Sequence, residues 1–305
     1  MNVIKMPTVA VLLAVYNGEC YLREQVESIL GQEDVKIALF AYDDRSTDNS
    51  WQLLQDLASK DARITIARNE VSSGSAFNNF YGAIKAFRTV EFDYIALSDQ
   101  DDVWMPEKLS RQISSMLATN SDGCSTSVQT FGTRGEQAYI NNAGRQSSLD
   151  FLFTGAGQGC TYVVSNRLFQ EIRNHVSIIG PVSLPHDWFI YATARRLGFR
   201  WLILREPLIL YRQHQNVFGA RTSLKGIKFR IQMLRSQVFL SNRVSLLKFL
   251  RTIPSDGATD KIEELASVEH SLAKRAAFAL KHLFLFRRFR AQSVVMAALF
   301  VAGLA

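Results

Sequence analysis

Asp99, Asp101 and Asp102 fall within four consecutive positions of the stretch IALSDQDDVW, where an apolar run stops. Carboxylates gathered away from bulk water are costly unless a cation or strong hydrogen-bond donors share the charge. Two readings fit these residues. Either a divalent cation belongs there, or SDQDD is a solvated turn whose Asp residues cap the helix suggested by PEKLSRQISSML, with Pro106 in its first turn. A second pair, Asp43 and Asp44, closes another apolar run and equally well opens DDRSTDNS as a turn and helix cap. Asp187 follows Pro185 and His186 in a pattern suited to the first turn of a helix.

The elements around these residues decide what they can do. TVAVLLAVYN is nearly continuous in apolar residues, as expected of a parallel strand covered on both faces, and CYLREQVESILGQ places Leu22, Val26, Ile29 and Leu30 on one helical face. VKIALFAYDD, RITIARN and DYIALSD read as further strands, separated by the helical stretches STDNSWQLLQDLASK and GSAFNNFYGAIKAFRT. Such alternation predicts an α/β fold: a Rossmann-like, mostly parallel sheet with helices on both faces and its ligand beyond the carboxyl ends of the strands. Asn17, Asp43, Asp44, Asp99 and Asp101 all stand at those predicted ends. From Gly123 to Gly159 the pattern weakens into Ser, Thr, Gly and Gln, which predicts an insertion carrying one hairpin. CTYVVSNRLFQEIRN restores a strand and helix, PHDWFIYATARRLGF predicts another helix, and RWLILREPLILYRQH a strand bent at Pro207.

With 305 residues, 47% hydrophobic and 21% charged, the chain is long and apolar enough to bury a sizeable core, which excludes a disordered protein. Three widely spaced cysteines indicate neither a disulfide framework nor a zinc ribbon, and a reducing cytosol is expected, with no export signal. The net charge of +7 resides in the C-terminal third, because Arg221–Arg290 holds 15 Lys or Arg against 5 Asp or Glu. There, KGIKFRIQMLRSQVFL and AKRAAFALKHLFLFRRFR interleave basic residues with Phe and Leu. Helices of this kind suit an anionic membrane surface, or packing on the preceding domain. No nucleic-acid-binding module is recognisable, and the terminal AQSVVMAALFVAGLA falls short of the roughly 20 residues of a membrane span. The expected division is a catalytic domain over 1–220 and a basic helical region over 221–305.

The segments AVYNGECYLREQVESILGQ, YDDRSTDNSW, SDQDDVWMPEKL, GAGQGCTYVVSNRL and HDW, in this order and spacing, resemble the family 2 glycosyltransferases, inverting nucleotide-sugar enzymes of the glycosyltransferase A fold. The resemblance runs from about Val9 to Gly219, and HDWFIYATARRLG followed by YRQHQNVFG is more narrowly similar to bacterial rhamnosyltransferases of surface-polysaccharide assembly. It implies that Ala14, Tyr16, Asn17, Asp43, Asp44, Asn78, Asp99 and Gln100 serve the nucleotide, Asp44 through a pyrimidine imide. A strand-end carboxylate can accept such an N–H, and an aromatic ring beside it can stack on the base.

The resemblance further implies that Asp99 and Asp101 hold Mg²⁺ or Mn²⁺ against the donor diphosphate, with His214 as a further ligand and Arg212 beside the phosphates. Asp102 is then a ligand or a supporting group. Asp187 matches the base that takes the acceptor's proton, while His186, Trp188 and Trp104 orient it or touch the acceptor. The implied activity is transfer of a single sugar, rhamnose from dTDP-rhamnose or a hexose or N-acetylhexosamine from UDP. The implied acceptor is a lipid-linked or growing surface polysaccharide at the cytoplasmic face of a bacterial plasma membrane.

Two departures matter. Relatives carry Lys or Arg in the loop after the third strand, where this chain has SSGSAFNNF, and the Q-x-x-R-W signature of processive synthases is absent. Metal-dependent nucleotidyl transfer is a rival that lacks its basic Gly-rich phosphate loop; a non-catalytic assembly subunit is another.

Overall fold

The computed structural model describes residues 6–88, 91–132, 137–177, 184–213, 237–254 and 261–304. The chain divides into two compact units. The first holds one nine-stranded sheet: β1 (Thr8–Val15), β2 (Lys36–Asp43), β3 (Ile64–Arg68), β4 (Tyr94–Ser98), β5 (Val103–Trp104), β6 (Gly123–Gly132), β7 (Gln137–Ile140), β8 (Val163–Ser165) and β9 (Trp201–Gln213). The order is β3-β2-β1-β4-β8-β6-β9-β5, with β7 beside β6. The long pairings, β1 with β2 and β4, β2 with β3 and β6 with β9, are parallel, whereas the short ones are antiparallel.

The first unit's helices are α1 (Leu22–Leu30), α2 (Ser50–Lys60), α3 (Ala76–Ala86), α4 (Lys108–Thr119) and α5 (Asn166–Val176). β1 is apolar throughout because Val9 to Val15 are all buried, and α1 brings Leu22, Val26 and Ile29 into the same core. Register levels the strand ends: Val15 pairs with Asp43 and Leu13 with Ser98. The expected acidic residues therefore emerge along one edge.

The segment expected to be an insertion with one hairpin does pair β6 antiparallel with β7, but β6 is also a central strand whose Ser125, Thr126 and Ser127 are fully buried. Two of these hydroxyls find partners that replace water: Ser127 Oγ donates to the Leu204 carbonyl at 3.2 Å, and Ser125 Oγ accepts from Trp201 Nε1 at 3.1 Å. β9 runs as expected to Gln213, with its register against β6 slipping around Pro207.

The second unit comprises, among the described residues, 143–156, 184–198, 237–254 and 261–304. It thus takes in α6 (His186–Arg196), which the expected boundary at 220 assigns to the first unit, with α7 (Gln237–Arg251), α8 (Lys261–Val268), α9 (Leu272–Lys281) and α10 (Arg290–Val301). Phe153, Phe278, Phe286 and Phe300 meet in its core, with ring centroids 4.8 Å apart for Phe153 and Phe286.

Candidate active site

The turn after β1 is built by hydrogen bonds that its sequence requires. Asn17 adopts a left-handed φ of 51°, which Asn tolerates, and its Oδ1 accepts from Thr47 N at 2.8 Å. Gln100 clamps the Tyr16 backbone from both sides, accepting from its N–H at 2.7 Å and donating to its carbonyl at 2.8 Å. A Cβ on Gly18 would lie 2.5 Å from Gln100 Oε1, so the clamp needs glycine there. The Tyr16 ring stays half-exposed above the strand end, whereas Ala14 is buried within β1.

The two carboxylates after β2 have separate tasks. Asp43 is fully buried and braces the edge, its Oδ2 accepting from Arg68 Nε at 2.9 Å and Ser46 N at 3.2 Å. Asp44 faces the loop after β3. Its Oδ1 accepts from Ser73 N at 2.6 Å and Asn69 Nδ2 at 2.7 Å, and its Oδ2 from Ser73 Oγ at 2.8 Å and Ser72 Oγ at 3.2 Å. Four donors occupy the roughly four acceptor positions of a carboxylate. Asn78 supports this loop, its Nδ2 donating to the Ser73 carbonyl at 3.0 Å, and Asn79 ties the loop to the sheet by donating to the Tyr42 carbonyl at 3.0 Å.

Beyond β4, Asp99 and Asp101 are half-buried and Asp102 is buried. The ligating atoms of Asp99, Asp102 and Cys160 lie within 4.8 Å of one another. Asp102 Oδ1 also accepts from Arg212 N at 3.0 Å, and burial followed by the charges of Asp99 and Asp101 pushes its carboxyl well up. Burial likewise pushes the Cys160 thiol well up. A neutral thiol is a poor ligand for a hard cation, whereas half-exposed carboxylates suit one. Asp99 clusters there with Asp102 and Cys160, Asp101 is not part of that cluster, and the half-buried carboxylates of Asp99 and Asp101 are of the hard type that would suit Mg²⁺ or Mn²⁺.

Trp104 and Arg212 hold this loop from below. Trp104 is buried beneath Lys108, whose Nζ lies 3.7 Å from the ring centroid, and burial pushes that lysine down to about 7. That location leaves Trp104 little surface for contact with an acceptor. The Arg212 guanidinium lies between Tyr21 and Phe131, at 4.3 and 4.4 Å, donates to the Asp101 carbonyl at 2.7 Å and pairs with Glu24 at 2.6 Å. Held by these four partners, it braces the acidic loop rather than presenting a free cation to phosphate.

Asp187, His186 and Trp188 stand at the start of α6 in the second unit. Asp187 Oδ1 accepts from Trp188 N at 2.7 Å, and desolvation pushes its carboxyl up to about 6 against the lowering effect of that hydrogen bond. His186 is buried and pushed down to about 3 by desolvation, so its imidazole is neutral at ordinary pH. Trp188 is core: its Nε1 donates to the Phe151 carbonyl at 2.8 Å and its ring stacks on Phe239 at 5.3 Å. That packing favours a core role for Trp188 over contact with a sugar. His214 lies outside the described residues.

Cys160, Lys108, Arg68 and Asn69 escaped the sequence reading. Arg68 and Asn69 carried a usable signal, as polar residues at the end of the predicted strand RITIARN; Cys160 and Lys108 reach this region through pairings of distant segments.

The glycosyl transferase family 2 model matches residues 10–159. The dTDP-rhamnosyl transferase RfbG of Shigella flexneri is 36% identical over 231 residues, covering 74% of this chain and 80% of that protein. The UDP-Glc:α-D-GlcNAc-diphosphoundecaprenol β-1,3-glucosyltransferase WfgD of Escherichia coli is 28% identical over 196 residues, 60% of this chain and 68% of that one. Among solved structures, S. aureus TarS 1–349 in complex with UDP-GlcNAc superposes with a TM-score of 0.59 at 16% identity, covering 98% of this chain and 82% of that chain. The mixed sheet, the level strand ends and these likenesses make the chain a glycosyltransferase of the A-type fold, and it belongs to glycosyl transferase family 2.

Proposed function

We propose that this chain is an inverting transferase that moves one sugar, rhamnose from dTDP-rhamnose, onto a lipid-linked or growing surface-polysaccharide acceptor at the cytoplasmic face of a bacterial membrane. The observation that carries the reading is the alignment of Tyr16, Asp44, Asp99 and Asp101 along one sheet edge, where α/β sheets bind ligands. The dTDP-rhamnosyl relative supports the donor. The diphosphoundecaprenol glucosyltransferase supports a lipid-linked acceptor, and also the second reading of a UDP-hexose donor.

In this reading Tyr16 stacks on the base and Asp44 accepts its imide N–H, with Asp43, Asn17, Asn78 and Gln100 holding both in place. Asp99 and Asp101 would hold Mg²⁺ or Mn²⁺, which would supply positive charge against the leaving nucleoside diphosphate. Asp187 accepts the proton of the acceptor hydroxyl as that oxygen bonds the anomeric carbon and the donor's C–O bond breaks on the opposite face. His214 remains a candidate further ligand.

Calorimetric titration with dTDP, UDP and GDP, with and without Mn²⁺, tests the reading. Binding of one pyrimidine diphosphate that depends on Mn²⁺ and is lost in Asp101→Ala is expected; no binding to any of the three would sink it.

The donors around Asp44 add a second expectation. A base N–H reaching that carboxylate must displace one of them, so Ser73→Ala, which removes a competing hydroxyl and keeps the main-chain N–H, tightens nucleotide binding by about three- to tenfold. Weaker binding in the same titration would mean that the hydroxyl orients Asp44 instead of competing for it.

A further inference from the structure

The last two helices of the second unit carry a surface that their own packing does not explain. From Leu272 to Ala305 the chain has six Lys or Arg and no Asp or Glu. Three of the six are used internally: Arg275 donates to the Val301 and Glu269 carbonyls, Arg287 to the Phe153 carbonyl, and Arg288 to Asp150 and the Gly155 carbonyl. Lys274 and Arg290 are exposed, as is Lys281, which also pairs with Glu264 of α8 at 2.7 Å.

Apolar side chains lie exposed on the same elements. Phe278, Met296, Ala297 and Phe300 are buried, as the core of an amphipathic pair should be. Yet Leu272 is 62%, Leu280 77%, Phe284 52%, and Val294 and Val295 each 43% exposed. On α10 the positions Ala291, Val294, Val295 and Ala298 share one exposed face by helical spacing, and Arg290 opens it. The Arg290 guanidinium sits 5.4 Å from the centroid of the exposed Phe284 ring, joining cation and hydrophobe at one spot. No helix among the described residues is long and apolar enough to cross a membrane.

We infer that α9, the Phe284 loop and α10 form a docking surface for an anionic lipid bilayer, with Leu280, Phe284, Val294 and Val295 entering the headgroup boundary and Lys274, Lys281 and Arg290 meeting lipid phosphates. An exposed apolar face rimmed by cations, on elements free of acidic residues, has the charge complement of such a surface. The inference rests on the lipid-linked acceptor proposed above and names where the chain meets the membrane that holds it.

Co-sedimentation of the full chain with phosphatidylcholine vesicles, and with vesicles containing about a third phosphatidylglycerol, tests it, alongside calorimetric nucleotide binding on the same preparations. Binding to the anionic vesicles should exceed that to the neutral ones by about tenfold or more and weaken with salt. Leu280→Glu with Val295→Glu, both at exposed positions, should abolish it, and Lys274→Gln with Arg290→Gln should reduce it by about tenfold, nucleotide binding being unchanged. Absence of vesicle binding in a chain that binds nucleotide overturns this inference alone. So does equal binding by the variants, or a parent dimer that Leu280→Glu with Val295→Glu dissolves, since a second copy would then cover the face. Vesicle binding without nucleotide binding overturns the donor reading and leaves this surface standing.

Discussion

With Asp187 as the proposed base, Asp187→Asn is expected to retain nucleotide binding and to lose turnover by about 10³-fold. Asn keeps the size of Asp and an oxygen for the Trp188 N–H, so the first turn of α6 keeps its hydrogen bond at 2.7 Å while the proton acceptor is gone. The pH profile supplies the independent readout. Desolvation holds the Asp187 carboxyl at about 6, so the group is protonated and inactive as a base below that pH and ionised above it. The value of kcat/KM then rises about tenfold per pH unit up to about 6 and levels off beyond it, until another group titrates. A carboxylate serving only to cap α6 would behave differently, because Asn also caps helices: Asp187→Asn would stay within about threefold of the parent, and the limb near pH 6 would be missing or would persist in the variant. Single-turnover rates from pH 5 to 8 on both chains separate the two outcomes.

The edge proposed for the donor was legible because parallel strands buried on both faces announce themselves as continuous apolar runs. The position where each run stops marks the same side of the sheet, and Asn17, Asp44 and Asp99 all fall there. β6 was illegible for the converse reason: Ser125, Thr126 and Ser127 are all buried, and the hydroxyls of Ser125 and Ser127 bond to Trp201 and the Leu204 carbonyl of β9, a partnership that no local periodicity encodes. The same limit hid Cys160, which reaches Asp102 only because β8 pairs with β4. Arg212, which the resemblance places beside the donor phosphates, is held by Glu24, 188 positions earlier, and by two aromatic rings, contacts that no local pattern encodes. Sequence reading thus placed these carboxylates at the strand ends, whereas learning which charged groups their neighbours hold required the fold.

Asp150→Ala is expected to destabilise the second unit by about 3–5 kcal/mol, the usual cost of removing one partner from a buried ionic network. Asp150 is fully buried, accepts from Tyr191 Oη at 2.8 Å, and faces Arg195 Nη1 and Arg288 Nη1, each at 3.3 Å. Truncation leaves two guanidinium groups drawn together without their anion, and only some of their other bonds, such as Arg195 Nη2 to the Ser147 carbonyl at 2.8 Å, remain. Asp150→Asn keeps the shape and loses the charge, so it should fall between the parent and Ala. The consequence reaches the chemistry because Tyr191 and Arg195 lie on the same helix as Asp187, one and two turns further on. Asp150 is thus the anchor of the helix that carries the proposed base. Thermal unfolding monitored calorimetrically reads the loss as a lowered Tm of the transition assigned to this unit; a change under about 1 kcal/mol would mean that the two guanidiniums find other acceptors. Turnover measured below that transition distinguishes anchoring from bulk stability. If Asp150 fixes the angle of α6, kcat falls in Asp150→Asn at temperatures where the chain is still folded, while the affinity for nucleotide stays at the parent's value.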